Sequence, residues 1–337
     1  MTNELSWRRV DLAIDFGTAN LRLIRRDEGI VFDEPSLCCF TRRDTVSTLV
    51  AAGSAARAMS DRTPRSLEVR RPLQRGVLQD IGAATQLLRY ALPSAFGRKR
   101  MRKPHAVIGV PADATQAERA ALRTAASDAG IGSIRLVSEP FAAAIGAGLP
   151  VDEPHGAMIV ECGAGTTEVA VLSLGGICIT RSVRVGGASL DQAIADHLHF
   201  RHKFLIGCST AERIKRDHAA ARRGAASGEE ELEVRGRSLA KGLPGSFRIA
   251  LSELDEVVER HVARIVNVVR DVLHVTPPEL SRDLHTHGIT LTGGSAFLPR
   301  LSARIREDTG LEAVVAADPA FCVAQGLHRI LADGASA

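Results

Sequence analysis

Aromatic residues are scarce, with one Trp, one Tyr and ten Phe making up 4% of the 337 residues. Around the one strongly basic run only Tyr90 and Phe96 are near, so no platform exists on which bases would stack. Lys+Arg number 43 against 39 Asp+Glu, and the net charge of +4 is too small to drive nucleic-acid binding by itself. Nucleic acid is therefore excluded as a partner. There is also no C-x-x-C pair: Cys38, Cys39, Cys162, Cys178, Cys208 and Cys322 are scattered, with no histidine at a zinc-ligand interval. They read as reduced, buried thiols of a cytosolic protein. The eleven histidines, His285 and His287 among them, share no helix face at metal-ligand spacing and read as surface residues. Nowhere do about 18 apolar residues follow one another without charge, and Met1 to Arg9 carry Leu5 and Trp7 but no run of signal-peptide length. Neither export nor a membrane span is expected. Finally, no G-x-x-x-x-G-K-[ST] occurs and no G-x-G-x-x-G follows the first strand, which removes the P-loop and dinucleotide-binding readings.

What is present is a folded composition, 45% hydrophobic and 24% charged, at a length that favours two domains of roughly 150 residues. Val10 to Ile24 reads as an apolar strand, a turn at Gly17-Thr18-Ala19-Asn20 and a return strand. The pattern recurs about 146 residues later, where Ala157 to Val160 leads into Glu161-Cys162-Gly163-Ala164-Gly165-Thr166-Thr167-Glu168 and back through Val169 to Leu174. In both copies an acid ends the first strand (Asp15, Glu161) and a glycine follows two residues later (Gly17, Gly163). Repetition at this distance indicates a duplicated domain. Between the copies, Val107 to Val110 reads as a buried strand, Thr115-x-x-Glu118 as the capping box of an Ala-rich helix, and Ala142 to Gly148 as a tightly packed helix of small residues. Ala219 to Glu231 reads as a surface loop. Ser252 to Val275 reads as a long helix whose Val258, Val262, Ile265, Val269 and Val272 belong to the core, stopped by Pro277-Pro278.

Two turns that each present backbone N–H groups and one carboxylate suit a polyphosphate and its metal. Asp15 and Glu161 are the candidate magnesium carboxylates, acting through water. Gly17, Thr18, Ala19 and Asn20, with Gly163, Ala164, Gly165 and Thr166, are the candidate phosphate loops, and Gly293-Gly294 would let backbone lie against a base. Glu139 reads locally as an acid opening a helix before Pro140, and Glu168, at the start of the return strand, as a surface or interface group.

The segments Asp15 to Asn20, Arg62-Thr63-Pro64, Arg71-Pro72 with Gly76-Val77, Glu139-Pro140-x-Ala142-Ala143-Ala144-Ile145-Gly146, Gly165 to Val171, Thr210 to Lys215 and Leu291-Thr292-Gly293-Gly294 closely resemble the bacterial actin MreB and its MreB-like relatives. The resemblance covers nearly the whole chain, in order and at family-like spacing. It implies an α/β, actin-like fold of two RNase H-like lobes and four subdomains around a nucleotide cleft. The first lobe would span about residues 1–145 with an insertion near 34–78, the second 146–337 with an insertion near 190–245. It further implies an ATPase using ATP and Mg2+ that assembles with itself into filaments at the inner face of the cell membrane, in the cytoplasm, and organises cell shape with membrane proteins of wall synthesis. By matching motif, Glu139 positions the attacking water with Thr166 beside it, Thr167 belongs to the second phosphate loop, and Glu212 and Lys215 meet the ribose and base.

The chain departs from the family where Asp-x-Gly-Gly-Gly-Thr-Thr is replaced by Glu161 to Thr167, adding a methylene at the metal-side acid and a methyl at Ala164, and where Ala188 stands in place of the usual Asp. A displacement of about 1 Å can cost on the order of 100-fold in rate. The competing reading is accordingly a scaffold that binds nucleotide without hydrolysing it. A small-molecule kinase on the same superfold would need an acceptor site, and none is recognisable. The basic run Arg98-Lys99-Arg100-Met101-Arg102-Lys103 is the candidate contact with an anionic membrane, at about 1 kcal/mol per basic residue. Leu5 and Trp7 with Arg8-Arg9 are a candidate apolar anchor.

Overall fold

The computed structural model describes residues 10–42, 47–97, 102–224 and 230–333. The first hairpin forms as β1 (Leu12–Phe16) and β2 (Asn20–Arg25), extended by β3 (Gly29–Pro35). The chain then leaves for a small sheet of β4 (Cys38–Thr41), β5 (Leu49–Ala52) and β6 (Leu67–Arg70), makes a short hairpin of β7 (Leu73–Gln74) and β8 (Val77–Leu78), and returns through β9 (His105–Val110) and β10 (Ser133–Ser138). The second half repeats this course. Its hairpin is β11 (Ala157–Cys162) and β12 (Thr167–Ser173), extended by β13 (Gly176–Val183), with an excursion into β14 (Phe204–Leu205), β15 (Glu231–Ser238) and β16 (Pro244–Ala250) before β17 (Ile289–Thr292) and β18 (Ala313–Val315).

The two five-stranded sheets have the same strand order, β3-β2-β1-β9-β10 and β13-β12-β11-β17-β18. In each, the first three strands run as an antiparallel meander and the last two join parallel to the central strand. The duplication visible in the turn motifs therefore extends to whole sheets. β1 and β11 are buried along their entire length, as central strands covered on both faces must be.

The helices are α1 (Gly53–Met59), α2 (Ile81–Phe96), α3 (Gln116–Asp128), α4 (Glu139–Gly146), α5 (Gly187–His202), α6 (Cys208–Arg222), α7 (Leu251–Val275), α8 (Pro278–His287), α9 (Leu301–Thr309) and α10 (Cys322–Asp333). The expected capping box opens α3: Glu118 N–H donates to Thr115 Oγ1 at 3.2 Å and Thr115 N–H to Glu118 Oε2 at 2.7 Å. The long helix α7 buries Val258, Val262, Ile265, Val269 and Val272 as expected. Between the sheets lie α4 and α10, sharing one apolar layer with Ala13 and Val107 of the first sheet and Ile159 and Ala170 of the second. The two helices touch backbone to backbone: a Cβ on Gly146 would lie 1.8 Å from the Cys322 carbonyl oxygen, and one on Gly326 would lie 1.7 Å from that of Ala142. Only hydrogen fits at either position.

Three expectations are corrected. The stretch from Ala219 is helical through Arg222, because Ala211, Ile214, His218 and Ala219 make a buried stripe in which a histidine stands where apolar residues were sought. His218 and His261 are buried at 1% and 4% exposure, each on the inward stripe of a helix, while His285 and His287 are exposed. Cys178, on the edge strand β13, and Cys208, opening α6, are exposed, whereas the other four thiols are buried. No helix among the described residues is long and apolar enough to cross a membrane.

Candidate functional site

The two hairpin turns face each other across one cleft. Asp15, Gly17, Thr18, Ala19 and Asn20 line one wall, Glu161, Gly163, Ala164, Gly165 and Thr166 the other, and Glu139, Gly293 and Gly294 also line it. The turns share one internal hydrogen bond: Gly17 N–H donates to the Asn20 carbonyl and Gly163 N–H to the Thr166 carbonyl, both at 2.9 Å. They also meet. Gly76 N–H, in the turn between β7 and β8, donates to Thr18 Oγ1 at 3.1 Å. A Cβ on Gly165 would lie 2.4 Å from Thr18 Oγ1 and 2.5 Å from Gly76 N. Gly165 is thus required by close contact with the Thr18 hydroxyl and with the Arg75-Gly76 backbone. Ala164 is a different case, since it lies outside the left-handed region, and its added methyl costs no backbone strain. Its carbonyl accepts from Ala188 N–H at 2.9 Å and that of Gly163 from Gly187 N–H at 3.0 Å, which pins the second loop to the start of α5. Gly293, at φ +82°, sits against the Cys162 backbone, while Gly294 faces open space.

Three predicted residues stand outside the cleft lining. Thr167 is fully buried, and its hydroxyl holds the loop from behind by donating to the Val185 carbonyl at 2.7 Å. Lys215 Nζ reaches the Gly187 carbonyl at 3.0 Å and Asp191 Oδ1 at 2.8 Å. Glu212 pairs with Arg57 of α1 at 2.6 Å and with Arg216 at 2.5 Å. Of the basic run, Arg98 to Met101 lie outside the described residues, as do Leu5, Trp7, Arg8 and Arg9. Arg102 is exposed and pairs with Asp11 at 3.0 Å, and Lys103 is exposed.

The hairpin register explains the electrostatics. Directly across from Asp15 stands Arg22, and directly across from Glu161 stands Glu168. Residues so paired present side chains to the same face. Arg22 Nη1 meets Asp15 Oδ2 at 3.0 Å, yet burial still raises the Asp15 pKa above its usual value. In the second copy no cation answers. Contrary to its expected surface position, Glu168 is 0% exposed, because every residue of β12 is covered. Its carboxylate oxygen can come within 4.8 Å of those of Glu139 and Glu161. Burial, partly offset by the Ala112 N–H that Glu168 Oε1 accepts at 2.8 Å, pushes its pKa up to about 8. Glu139 and Glu161 are both raised well above the ordinary carboxylate value, by burial first and by Glu168 next.

Glu168 Oε2 is buried without a hydrogen-bond partner. An orphaned carboxylate oxygen beside two more carboxylates is a hard, all-oxygen donor set, which fits a divalent magnesium-class cation. Arg22 and Glu168 were missed by the sequence reading, although counting outward from each turn gives both as the cross-strand partners of the acids already chosen.

A pH signature follows. Carboxyls with raised folded-state pKa bind more protons in the fold than in the unfolded chain, so stability falls as pH rises from about 4.5 towards 8. In chelator, the melting temperature should drop between about pH 5 and pH 8, and Mg2+ should restore it at the higher pH with little effect at the lower. Thermal melts of the wild type and Glu168→Gln test this. The drop should shrink in the variant, and an equal drop in both would assign it elsewhere.

A family model described as MreB/Mbl protein matches residues 9–336. The chain is 41% identical to the cell shape-determining protein MreB of Escherichia coli K12 over 324 residues, covering 95% of this chain and 93% of that protein. It is 36% identical to the cell shape-determining protein Mbl of Bacillus subtilis 168, covering 95% of each. The crystal structure of Spiroplasma citri MreB5 bound to ADP superposes with a TM-score of 0.87 at 30% identity over 96% of both chains, and its AMPPNP-bound form with 0.85. The fold is therefore actin-like, with nearly full-length correspondence.

Proposed function

From the premise that this chain belongs to the MreB/Mbl family, we propose that it is an actin-like ATP-binding protein that assembles with itself at the inner face of the cell membrane and takes part in setting cell shape. The observation that carries the nucleotide reading is the pair of matched hairpin turns facing one cleft, with the carboxylates of Asp15, Glu139 and Glu161 in its lining. Relatives of the same fold, the MreB5 structures, bind ADP and AMPPNP. In this reading the two lobes divide near residue 145, with insertions near 34–78 and 190–245; β4, β5 and β6 fall within the first range and β14 and β15 within the second, while β16 runs on to Ala250.

In this reading the backbone N–H groups of the two turns donate to phosphate oxygens, since amides fixed in turns cradle anions. Asp15 and Glu161, which line the cleft, would hold Mg2+ through water, with Glu168 buried behind Glu161, and the ion would screen charge on the phosphates. Glu139 receives the proton of the attacking water, and Thr166 Oγ1 positions that water for in-line transfer. Burial makes Glu139 a stronger base than an exposed glutamate, and its place at the first turn of α4 fixes it over Gly109, where a Cβ would lie 3.3 Å from Glu139 Cγ. The unstrained backbone of Ala164 removes one ground for the scaffold reading. The added methylene of Glu161 is the remaining ground for the scaffold.

Sedimentation with and without Mg·ATP, alongside a fluorescent-nucleotide titration and flotation with vesicles containing anionic lipid, tests the proposal. Nucleotide-dependent pelleting and flotation that requires the basic run 98–103 are the expected results. Absence of nucleotide binding would overturn the reading at its base. Binding with pelleting but no flotation would remove only the membrane.

A further inference from the structure

Away from the cleft, two histidines and a glutamate come together although the histidines stand at no metal-ligand spacing along the chain. His197 and His202 lie on α5, and both turn Nε2 towards one oxygen of Glu253, in the first turn of α7. His197 Nε2 is 2.7 Å and His202 Nε2 2.6 Å from Glu253 Oε1, and the three donor atoms can all lie within 4.8 Å of one another. A spacing of five along a helix is not the usual i, i+4 pair, and the third donor arrives from a helix some fifty residues on, so the sequence hid the cluster.

We propose that His197, His202 and Glu253 form a zinc-class divalent-metal site that clasps α5 to α7. Two imidazoles and one carboxylate are the donor set of a zinc site with its fourth position open. Paired imidazoles select zinc over magnesium, whereas the cleft trio is all oxygen and selects the reverse. The arrangement is overcrowded as a hydrogen-bond cluster. Arg201 Nε also approaches Glu253 Oε1, at 3.1 Å, so three donors converge on an oxygen with two lone pairs. A metal resolves the crowding: zinc bonds near 2.0–2.1 Å separate the donor atoms by roughly 3.3 Å, a shift of under about 1 Å from their present places. Arg201, 64% exposed, moves into solvent at small cost. The His202 ring is already supported by Phe247, with centroids 4.8 Å apart. The position gives the site a consequence. The first amides of α5 hold the second phosphate loop, and the clasp fixes the opposite end of the same helix.

The test uses the full chain after chelator treatment, in excess Mg2+ so that the oxygen-rich cleft is satisfied, and on a Cys178→Ser, Cys208→Ser background to remove the exposed thiols. Co2+ is the spectroscopic probe and Zn2+ the competitor. The expected result is one equivalent of Co2+ with the visible bands of four-coordinate nitrogen and oxygen ligation, displaced by Zn2+. Affinity should fall at least about tenfold in His197→Gln and in Glu253→Gln. The melting temperature of the unsubstituted trio should rise with Zn2+ while that of the variants stays put. Failure of the unsubstituted trio to bind either metal would overturn the site whether or not the variants fold, as would tight binding that survives both substitutions.

Discussion

Replacing Glu139 with glutamine lowers single-turnover phosphate release from Mg·ATP about 10²- to 10⁴-fold while nucleotide affinity changes little. That expected result depends on geometry already described. Glu139 opens α4 at the floor of the cleft, and it is partly accessible there, whereas Glu168 is sealed by its neighbours. Glutamine keeps the shape and removes the base, and it also removes one of three crowded negative charges. The variant should therefore be more stable than the wild type in chelator at pH 8 even as its chemistry fails. Combining a rate assay with a melt separates this from simple misfolding, which would lower both. Phosphate release unchanged in the variant would assign the base elsewhere. No release from the wild type, with binding intact, would move the non-hydrolysing scaffold forward.

The second large effect concerns stability. Gly326 is within a helix, so propensity alone predicts that alanine there adds up to about 1 kcal/mol. Contact predicts the opposite, because the new methyl would sit 1.7 Å from the Ala142 carbonyl oxygen and 3.0 Å from its Cα. Backbone cannot swing aside as a side chain can. Relief requires α4 and α10 to separate, and both are packed between the two sheets, so the layer of Ala13, Val107, Ile159 and Ala170 loosens with them. A loss of about 3 kcal/mol or more is expected, near the upper end of overpacking costs. At 2–4 °C per kcal/mol this is a fall of roughly 10 °C in melting temperature. Gly310→Ala is the control: it ends α9 at φ +73° with nothing within 4 Å of a new Cβ, so only backbone strain of about 1 kcal/mol applies. If Gly326→Ala melts no lower than this control, the close crossing of the helices is wrong.

What was legible in the sequence was local. The two hairpins with their glycine turns, the Thr115 capping box and the α7 stripe each announce themselves within a few residues, through period, turn chemistry or caps. The duplication was legible because two such local patterns match. What was not legible depends on pairs of distant residues. The approach of Gly146 and Gly326 joins helices far apart in the chain, and neither glycine signals its partner. His197, His202 and Glu253 meet only once α5 and α7 are packed. The last turn of α6 was not legible for another reason: Ala219 to Arg222 carry no apolar period of their own, and the stripe they continue includes His218, whose ring lies inside with Nε2 2.8 Å from Asp255 Oδ1. Glu168 is the instructive omission. Its position across from Glu161 was available by counting from the turn, and treating the start of a strand as surface discarded it.

The matching registers of the two hairpins carry one last consequence. A pocket made from two copies of one motif has an approximate twofold axis, and a lopsided ligand would fit such a pocket in either of two reversed orientations. The copies differ where it matters. Opposite the acid of the first stands Arg22, and opposite the acid of the second stands Glu168. Among the differences between the copies this one breaks the symmetry most directly, because it sets a cation behind one turn and a carboxyl behind the other, so the two orientations of a ligand are no longer equivalent.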